Sequence, residues 1–404
     1  EESVAVAIFL TRRLFQMFIV LIASALVSFG LLYVAPGGPL TGLRQAQNSG
    51  RNKISDDDIA RIKARFELDI NLHYRFTRWL VGFPSGPITI AGQQLFADAT
   101  VGCAIPAQVR LRYPDGRTEI IEEGCQKPIT FADLTNRRTS QGILFGDFGN
   151  SQVILRDRPI SVLINSRLPY TLSLMGATIL ISLLIGVPLG IYSAVRQYSR
   201  FDYAMTTVSF VGSSLPTFVI GIICILVFAI AAKEAGFFYL PPGSAVANSD
   251  YDVPLIGRVV AESTLDRVLH FIMPCGVLVF VNIAGYSRFI RSGMLEVLRL
   301  DYVRTARAKG LRERTVVLKH ALRNAMLPFI TLLAGVLAEL FGGAAITEAV
   351  FNWPGLGRLL VDSIERNDYS VAMSLTMVSI FLLLLGYLIT DILYSVLDPR
   401  IRLS

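Results

Sequence analysis

The residue types that carry chemistry are sparse, and their spacing excludes most catalysis. A phosphate cradle needs a lysine directly after a glycine and a Ser or Thr after it. None of the six lysines (Lys53, Lys63, Lys127, Lys233, Lys309, Lys319) follows a glycine. His73, His270 and His320 fall in three separate segments, and no His-x-x-x-His or Glu-x-x-His pair offers a metal two ligands from one helix face. No Gly-x-Ser-x-Gly elbow exposes a serine nucleophile. Cys103, Cys125, Cys224 and Cys275 lack the CxxC spacing of a metal knuckle. What remains is charge. Arg288 to Arg323 holds ten Lys/Arg against three acids (Glu296, Asp301, Glu313), a net +7 that equals the net charge of the whole chain.

The elements that position this charge are membrane helices. The 404 residues are 52% hydrophobic and 17% charged, with mean hydropathy +0.53; a soluble chain carries about 25% charged residues. A span needs about 20 apolar residues, and uncharged runs of about that length occur at 14–36, 168–195, 204–232, 271–287, 325–345 and 371–390. The expectation is an all-α polytopic membrane protein with six transmembrane helices. Arg12-Arg13 before an apolar stretch holding Ala23-Ser24-Ala25 has the look of a secretory signal, but the run continues through Leu32, so an uncleaved span is expected. Short loops rich in Lys and Arg stay in the cytoplasm. The loops 232–270 and 339–370 hold five Lys/Arg against ten acids. Both termini and the basic loop 288–323 are therefore expected in the cytoplasm, and 37–167 outside. Basic charge beside a lipid bilayer orients the chain or binds anionic lipid, and no nucleic-acid partner is implied.

An ion-coupled secondary carrier, the alternative class, places ionisable residues inside its spans. Runs two, three, four and six carry none, and Glu339 in the fifth is the one translocation-pathway candidate.

Within the basic loop, Asp301-Tyr-Val-Arg-Thr-Ala-Arg-Ala-Lys-Gly310 reads as a short helix with Asp301 at its positive end, Lys309 at its negative end and Gly310 closing it. A second basic helix, 313–323, leads into the fifth run. With Ser292-Gly-Met-Leu-Glu-Val-Leu298 and His320-Ala-Leu-Arg-Asn-Ala-Met-Leu-Pro328, this loop resembles the permease subunits of ABC importers, in the oligopeptide, dipeptide and nickel branch. Phe351-Asn-Trp-Pro-Gly-Leu-Gly357, Asp368-Tyr369 and Leu397-Asp-Pro-Arg-Ile401 extend the resemblance toward the C-terminus. Arg12-Arg13-Leu14, Ala35-Pro-Gly-Gly-Pro39, Phe66-Glu-Leu-Asp69, Trp79-Leu80, Gly146-Asp-Phe-Gly-Asn-Ser151 and Arg167-Leu-Pro-Tyr-Thr171 extend it toward the front. The superfamily's Glu-Ala-Ala-x-x-x-Gly motif aligns Arg304, Thr305 and Ala306 on its first three positions, so its glutamate is missing.

The resemblance implies the ABC importer permease fold and one of two membrane subunits for peptides, with nickel chelates, glutathione and oligosaccharides as other solutes of the branch. It implies a second permease subunit in a heterodimer, two ABC ATPase subunits that bind ATP and Mg, and an extracytoplasmic solute-binding protein. No cofactor and no enzymatic activity are expected in this chain. It further implies that Asp301, Tyr302, Arg304, Thr305, Ala306, Arg307, Lys309 and Gly310 form the ATPase-coupling helix, with Thr305, Ala306 and Gly310 in close approach and Arg304, Arg307 and Lys309 supplying charge. The expected domains are 1–36 (terminus and first span), 37–167 (extracytoplasmic) and 168–404 (permease core).

One stretch departs from the resemblance. About 86–142 stands where the family has a short connector. Val109 to Ile121 alternates around Pro114-Asp115-Gly116, a hairpin signature, so a small β-containing insertion is expected. Cys103 and Cys125 bracket it on the oxidising side, where a disulfide is expected.

Overall fold

A computed structural model describes residues 2–34, 56–90, 93–112, 118–135, 137, 140–326, 329 and 344–397. They divide into two compact units, Glu1–Val20 with Ile164–Asp362 and Val378–Ser404, and Leu21–Leu163 with Ser363–Met377.

The first unit is mainly helical, with one short antiparallel ribbon, Tyr251–Val253 against Gly257–Val259. Its elements include most of α1 (Glu2–Val34) and α4 (Ile160–Val195), then α5 (Arg200–Ser214), α6 (Thr217–Cys224, running on through Ile225–Ala231 and Ala232–Glu234) and α7 (Thr264–Val297). Among the described residues five helices are long and apolar enough to cross a membrane: Ile8–Leu31, Ile160–Val195, Thr217–Glu234, Thr264–Val297 and Tyr369–Ile389. Glu339 and most of the expected fifth span lie outside the described residues.

The run 204–232, expected as one span, is two helices. Pro216 has no N–H to donate and holds Leu215 extended at φ −91°, ψ 132°, so α5 stops there and α6 begins anew. The fourth span also differs, because the helix continues past Ser287 to Val297 and carries Arg288 and Arg291 on its last turns. Charge marked them as loop residues, yet the helix runs on without a break from Ser287 to Val297. Helices α4 and α7 touch at Gly190, where a Cβ would stand 2.6 Å from the Ser287 carbonyl oxygen and 2.9 Å from Ile290 Cβ.

The second unit holds the extracytoplasmic expectations. Here α2 (Asp56–Arg65) and α3 (Leu72–Val81) precede a small β1–β2 ribbon (Ile88–Ile90, Gln93–Leu95) and a long antiparallel hairpin, β3 (Thr100–Arg112) with β4 (Thr118–Thr130). Both hairpin strands extend well beyond the alternating Val109–Ile121 segment. An isolated hairpin is marginal in water, and the base of this one is packed. Val101 and Ile129 are buried with Ile70, Phe131 and Leu134, and Tyr74 meets Phe131 edge-on at 5.6 Å. Gly102 is required there, because the Asp69 carbonyl oxygen would lie 1.9 Å from a Cβ, and that oxygen accepts the Cys103 N–H at 2.7 Å. Phe29 of α1 stacks against Phe76 and Trp79 of α3 at 5.4 and 5.7 Å.

Candidate functional site

After α7 the chain turns and forms α8 (Asp301–Ala308). One side of α8 is apolar, with Val303 and Ala306 buried in a cluster with Ile290, Met294, Val297, Val316, Val317 and Ala321. The helix is closed by a reciprocal pair of bonds. The Gly310 N–H donates to the Arg307 carbonyl at 2.9 Å, and the Leu311 N–H donates to that of Ala306 at 3.4 Å. This pattern needs a left-handed residue, and Gly310 supplies it at φ 72°. A Cβ on Gly310 would meet nothing within 4 Å.

The next stretch, α9 (Glu313–Thr315, running on through Val316–Ala321 and Leu322–Ala325), is tied to α8 through Tyr302 and Arg307. Asn324 Nδ2 donates to the Tyr302 hydroxyl at 2.6 Å. Arg307 grips Glu313 with two bonds, 2.7 and 3.1 Å, which holds the Glu313 carboxyl below its ordinary range. The two helices therefore form a braced knob. Arg304, Thr305, Lys309 and Gly310 are exposed on it, and Asp301 pairs loosely with Arg304 at 3.5 Å. Ala306, expected in close approach to a partner, is buried, its methyl completing the apolar side with Val303. Arg307 is paired with Glu313 but stays exposed, so Arg304, Arg307 and Lys309 all lie on the outward face of α8.

The knob's base is fixed by Arg291, counted above as loop charge, and by two residues outside that loop, Asp202 and Ser193. Arg291 of α7 donates to both oxygens of Asp202 at 2.6 and 2.8 Å, and Ser193 of α4 donates to the same carboxylate. Asp202 is 2% exposed. The Arg291 hydrogen bonds hold its carboxyl far below the usual range against the opposing effect of burial. Three helix ends thus meet at one side chain. The signal was present in the sequence, because Ser199-x-x-Asp202 is a helix-start pattern and the Asp202 N–H is capped by Ser199 Oγ.

A second buried acid organises α10 (Ala345–Val350) and α11 (Leu356–Glu365). Glu348 is fully buried. Its carboxylate accepts Thr171 Oγ1–H at 3.2 Å and the Arg358 N–H at 2.9 Å, the latter in the first turn of α11. Thr171 Oγ1 accepts the Leu356 N–H at 2.7 Å, and Trp353 Nε1 donates to the Tyr170 carbonyl at 3.1 Å. The Arg167–Thr171 and Phe351–Gly357 motifs are therefore one clamp. Gly355 belongs to it because a Cβ there would lie 2.4 Å from the Glu348 carboxylate. Burial pushes the Glu348 carboxyl up, with the hydrogen bonds opposing it.

Cys103 and Cys125 are bonded to each other, with Cα atoms 5.9 Å apart. They sit partway along the hairpin, at the Cys103–Pro128 and Pro106–Cys125 rows, rather than at its ends.

Residues 186–403 match the profile of a protein family described as "Binding-protein-dependent transport system inner membrane component". The match takes in the clamp loop, the Asp202 joint and the entire knob, and spans more than half of the chain. The chain belongs to this family. It is a multi-pass inner-membrane permease subunit of an ABC importer. Among relatives, the oligopeptide transport system permease protein AppB of Bacillus subtilis is 43% identical over 258 residues, 64% of this chain and 76% of that one. The di/tripeptide transport system permease protein DppB of Pseudomonas aeruginosa is 40% identical over 243 residues, covering 58% and 70%. The dipeptide transport system permease protein DppB of Escherichia coli is 35% identical over 274 residues, covering 65% and 78%. For a permease subunit the knob has a suitable build: short, capped, braced and directly following the long helix α7.

Proposed function

We propose that this permease forms half of the translocation pathway of an ATP-driven peptide importer working by alternating access. Its partners are a second permease subunit of different sequence, two ATPase subunits that bind ATP and Mg, and an extracytoplasmic solute-binding protein. The observation that carries the substrate is the naming of its relatives as oligopeptide and dipeptide permeases. The knob carries the mechanism. Closure of the ATPase pair pushes on the exposed face of Arg304, Thr305, Lys309 and Gly310, with Asp301 and Tyr302 at its near end. The Arg307–Glu313 and Tyr302–Asn324 ties keep the push from being absorbed locally. The Asp202–Arg291–Ser193 joint passes it to α4, α5 and α7.

In this reading six spans cross the membrane, with 288–323 and both termini in the cytoplasm. The segment 37–167 faces outside, and its insertion, about 86–142, projects toward the binding protein. The division into 1–36, 37–167 and 168–404 follows from that topology. The loop-charge asymmetry supports it. Uptake of labelled tri-alanine by proteoliposomes holding the assembled complex tests the reading. ATP-dependent accumulation that requires the binding protein is expected; accumulation of a nickel chelate in its place would overturn the peptide assignment.

A further inference from the structure

The second compact unit bounds a half-open cavity of about 740 Å³ that no part of the transport reading uses. Ligand pockets are commonly 300–1,000 Å³, so the space suits a short peptide. Its wall carries four arginines (Arg65, Arg75, Arg78, Arg137) against three acids (Glu67, Asp147, Asp157), with aromatic surface from Trp79 and Tyr369 among others.

The cations differ in how firmly they are held. Arg78 is bound to Glu67 at 2.7 Å and Arg137 to Asp69 at 2.6 Å. Arg65 reaches Asp157 only at 3.4 and 3.5 Å and Gln152 only at 3.4 Å. Charge-assisted N–H to oxygen bonds are normally 2.7–2.9 Å, so Arg65 is satisfied by long, weak contacts. Its partner is also easily displaced, because the Asp157 side chain is 66% exposed. Arg75 presents a second guanidinium, lying 5.9 Å over the Phe29 ring.

We propose that this cavity is a binding site for the C-terminal carboxylate of a peptide, taken by Arg65 with Asp157 swinging out into water. The carboxylate replaces the long Asp157 and Gln152 contacts with a close bidentate pair. The peptide chain lies along Trp79 and Tyr369. Recognition through a terminus is indifferent to side-chain sequence, which suits a carrier of mixed peptides. In that respect the inference rests on the peptide reading above, although the cavity and the loose pair do not.

The test uses the assembled complex in lipid nanodiscs without its binding protein, with ligand-observed NMR of tri-alanine, its C-terminal amide and its N-acetyl form. Saturable binding of tri-alanine and the acetyl form is expected, with the amide about tenfold weaker, as for loss of one charge-assisted pair. Arg65→Gln should erase the difference between acid and amide. Asp157→Asn removes the competing carboxylate, so it should tighten tri-alanine binding about threefold to tenfold; a gain of affinity cannot come from misfolding. A difference between acid and amide that persists in Arg65→Gln would overturn the site. So would an Asp157→Asn variant no tighter than wild type, or displacement of tri-alanine by equimolar inorganic phosphate, which marks a bare anion site. Uptake with the binding protein present separates the two readings. Tri-alanine imported but not bound here sinks only this site, whereas tri-alanine neither imported nor bound sinks the peptide reading as well.

Discussion

Ser151 donates its hydroxyl to Asp368 at 2.6 Å, although 217 positions separate them. Both side chains are fully buried. The carboxylate also accepts the N–H groups of Val153 and Ile154 at 3.0 Å each, and Ser151 Oγ accepts that of Leu155 at 2.9 Å. Asp368 stands at the start of α12 (Tyr369–Leu397), where its carbonyl accepts the Ala372 N–H at 3.1 Å. The stretch ending at Ser151 and the Asp368-Tyr369 pair, read from sequence as separate motifs, are two halves of one joint.

Removing that carboxylate strands the buried Ser151 hydroxyl and the amides of Gln152, Val153 and Ile154. Asp368→Ala should cost about 3 kcal/mol, within the range for breaking a buried charged network. Asp368→Asn keeps one acceptor oxygen and should cost less. Thermal unfolding of the purified protein in detergent ranks the two; equal losses would mean that hydrogen-bond count does not set the stability of the joint.

The Glu348 clamp makes a sharper distinction. Glu348→Gln can still accept from α11 through its oxygen and donate to Thr171, so it should lie within about 1 kcal/mol of wild type, the net worth of one ordinary hydrogen bond. Glu348→Ala should lose about 2–4 kcal/mol, since Thr171 and the α11 amides are left unpaired. Gly355→Ala should lose a comparable amount, because its Cβ would occupy the carboxylate's position. Because the folded carboxyl is raised above its unfolded value, its protonation favours the fold. Stability gained from that proton is present below about pH 4, the unfolded value, and is lost as pH rises through the raised folded pKa. Wild type should therefore lose stability over that window relative to Glu348→Gln; parallel melting curves would contradict the burial of a titrating acid.

The Asp202–Arg291 joint has the opposite sign. The folded carboxyl is depressed below the unfolded value of about 3.9, so its contribution is present above that pH and is lost as pH falls toward the folded pKa. Asp202→Asn should melt below wild type at pH 7, by about 3 kcal/mol for an uncompensated Arg291, and the gap should narrow below about pH 4. A constant gap from pH 7 to pH 3 would show that the charge of Asp202 is not what welds the three helix ends.

Five apolar helices and the short helix of the knob were legible because they rest on local rules. Long apolar runs, and a glycine after a basic helix, declare themselves within a few turns of chain. The break at Leu215-Pro216 was hidden, because hydropathy averages across it and a proline alone does not stop a helix: Pro169, Pro188 and Pro274 lie inside α4 and α7. Glu348 and Asp368 were not legible, since each is defined by partners 177 and 217 positions away. An acid in a polar-looking external loop reads as solvated until Thr171 or Ser151 is brought against it. The hairpin was visible only at its alternating tip. Its base pairs through bulged rows around Cys103 to Gln108, where period-two patterning fails.

Breaking the disulfide should loosen that bulged base. Cys103→Ser with Cys125→Ser opens a loop of sequence separation 22, worth about 3 kcal/mol in the chain-entropy account. Hydrogen exchange at β3 and β4 should rise while the helices of the first unit stay protected. Unchanged exchange in the hairpin would mean that packing at Val101 and Ile129 alone secures it.

The most direct test of the coupling account is the number of peptides imported per ATP hydrolysed by the reconstituted complex carrying Gly310→Leu. A Cβ at φ 72° costs about 1–2 kcal/mol and meets no neighbour within the chain, so the subunit should insert and assemble. A bulky side chain on the exposed face should hold the ATPase off the knob. The account predicts that ATP is still hydrolysed while import per ATP falls at least about tenfold, the effect of roughly 1.4 kcal/mol of lost coupling. A wild-type ratio in the assembled Gly310→Leu complex would contradict it.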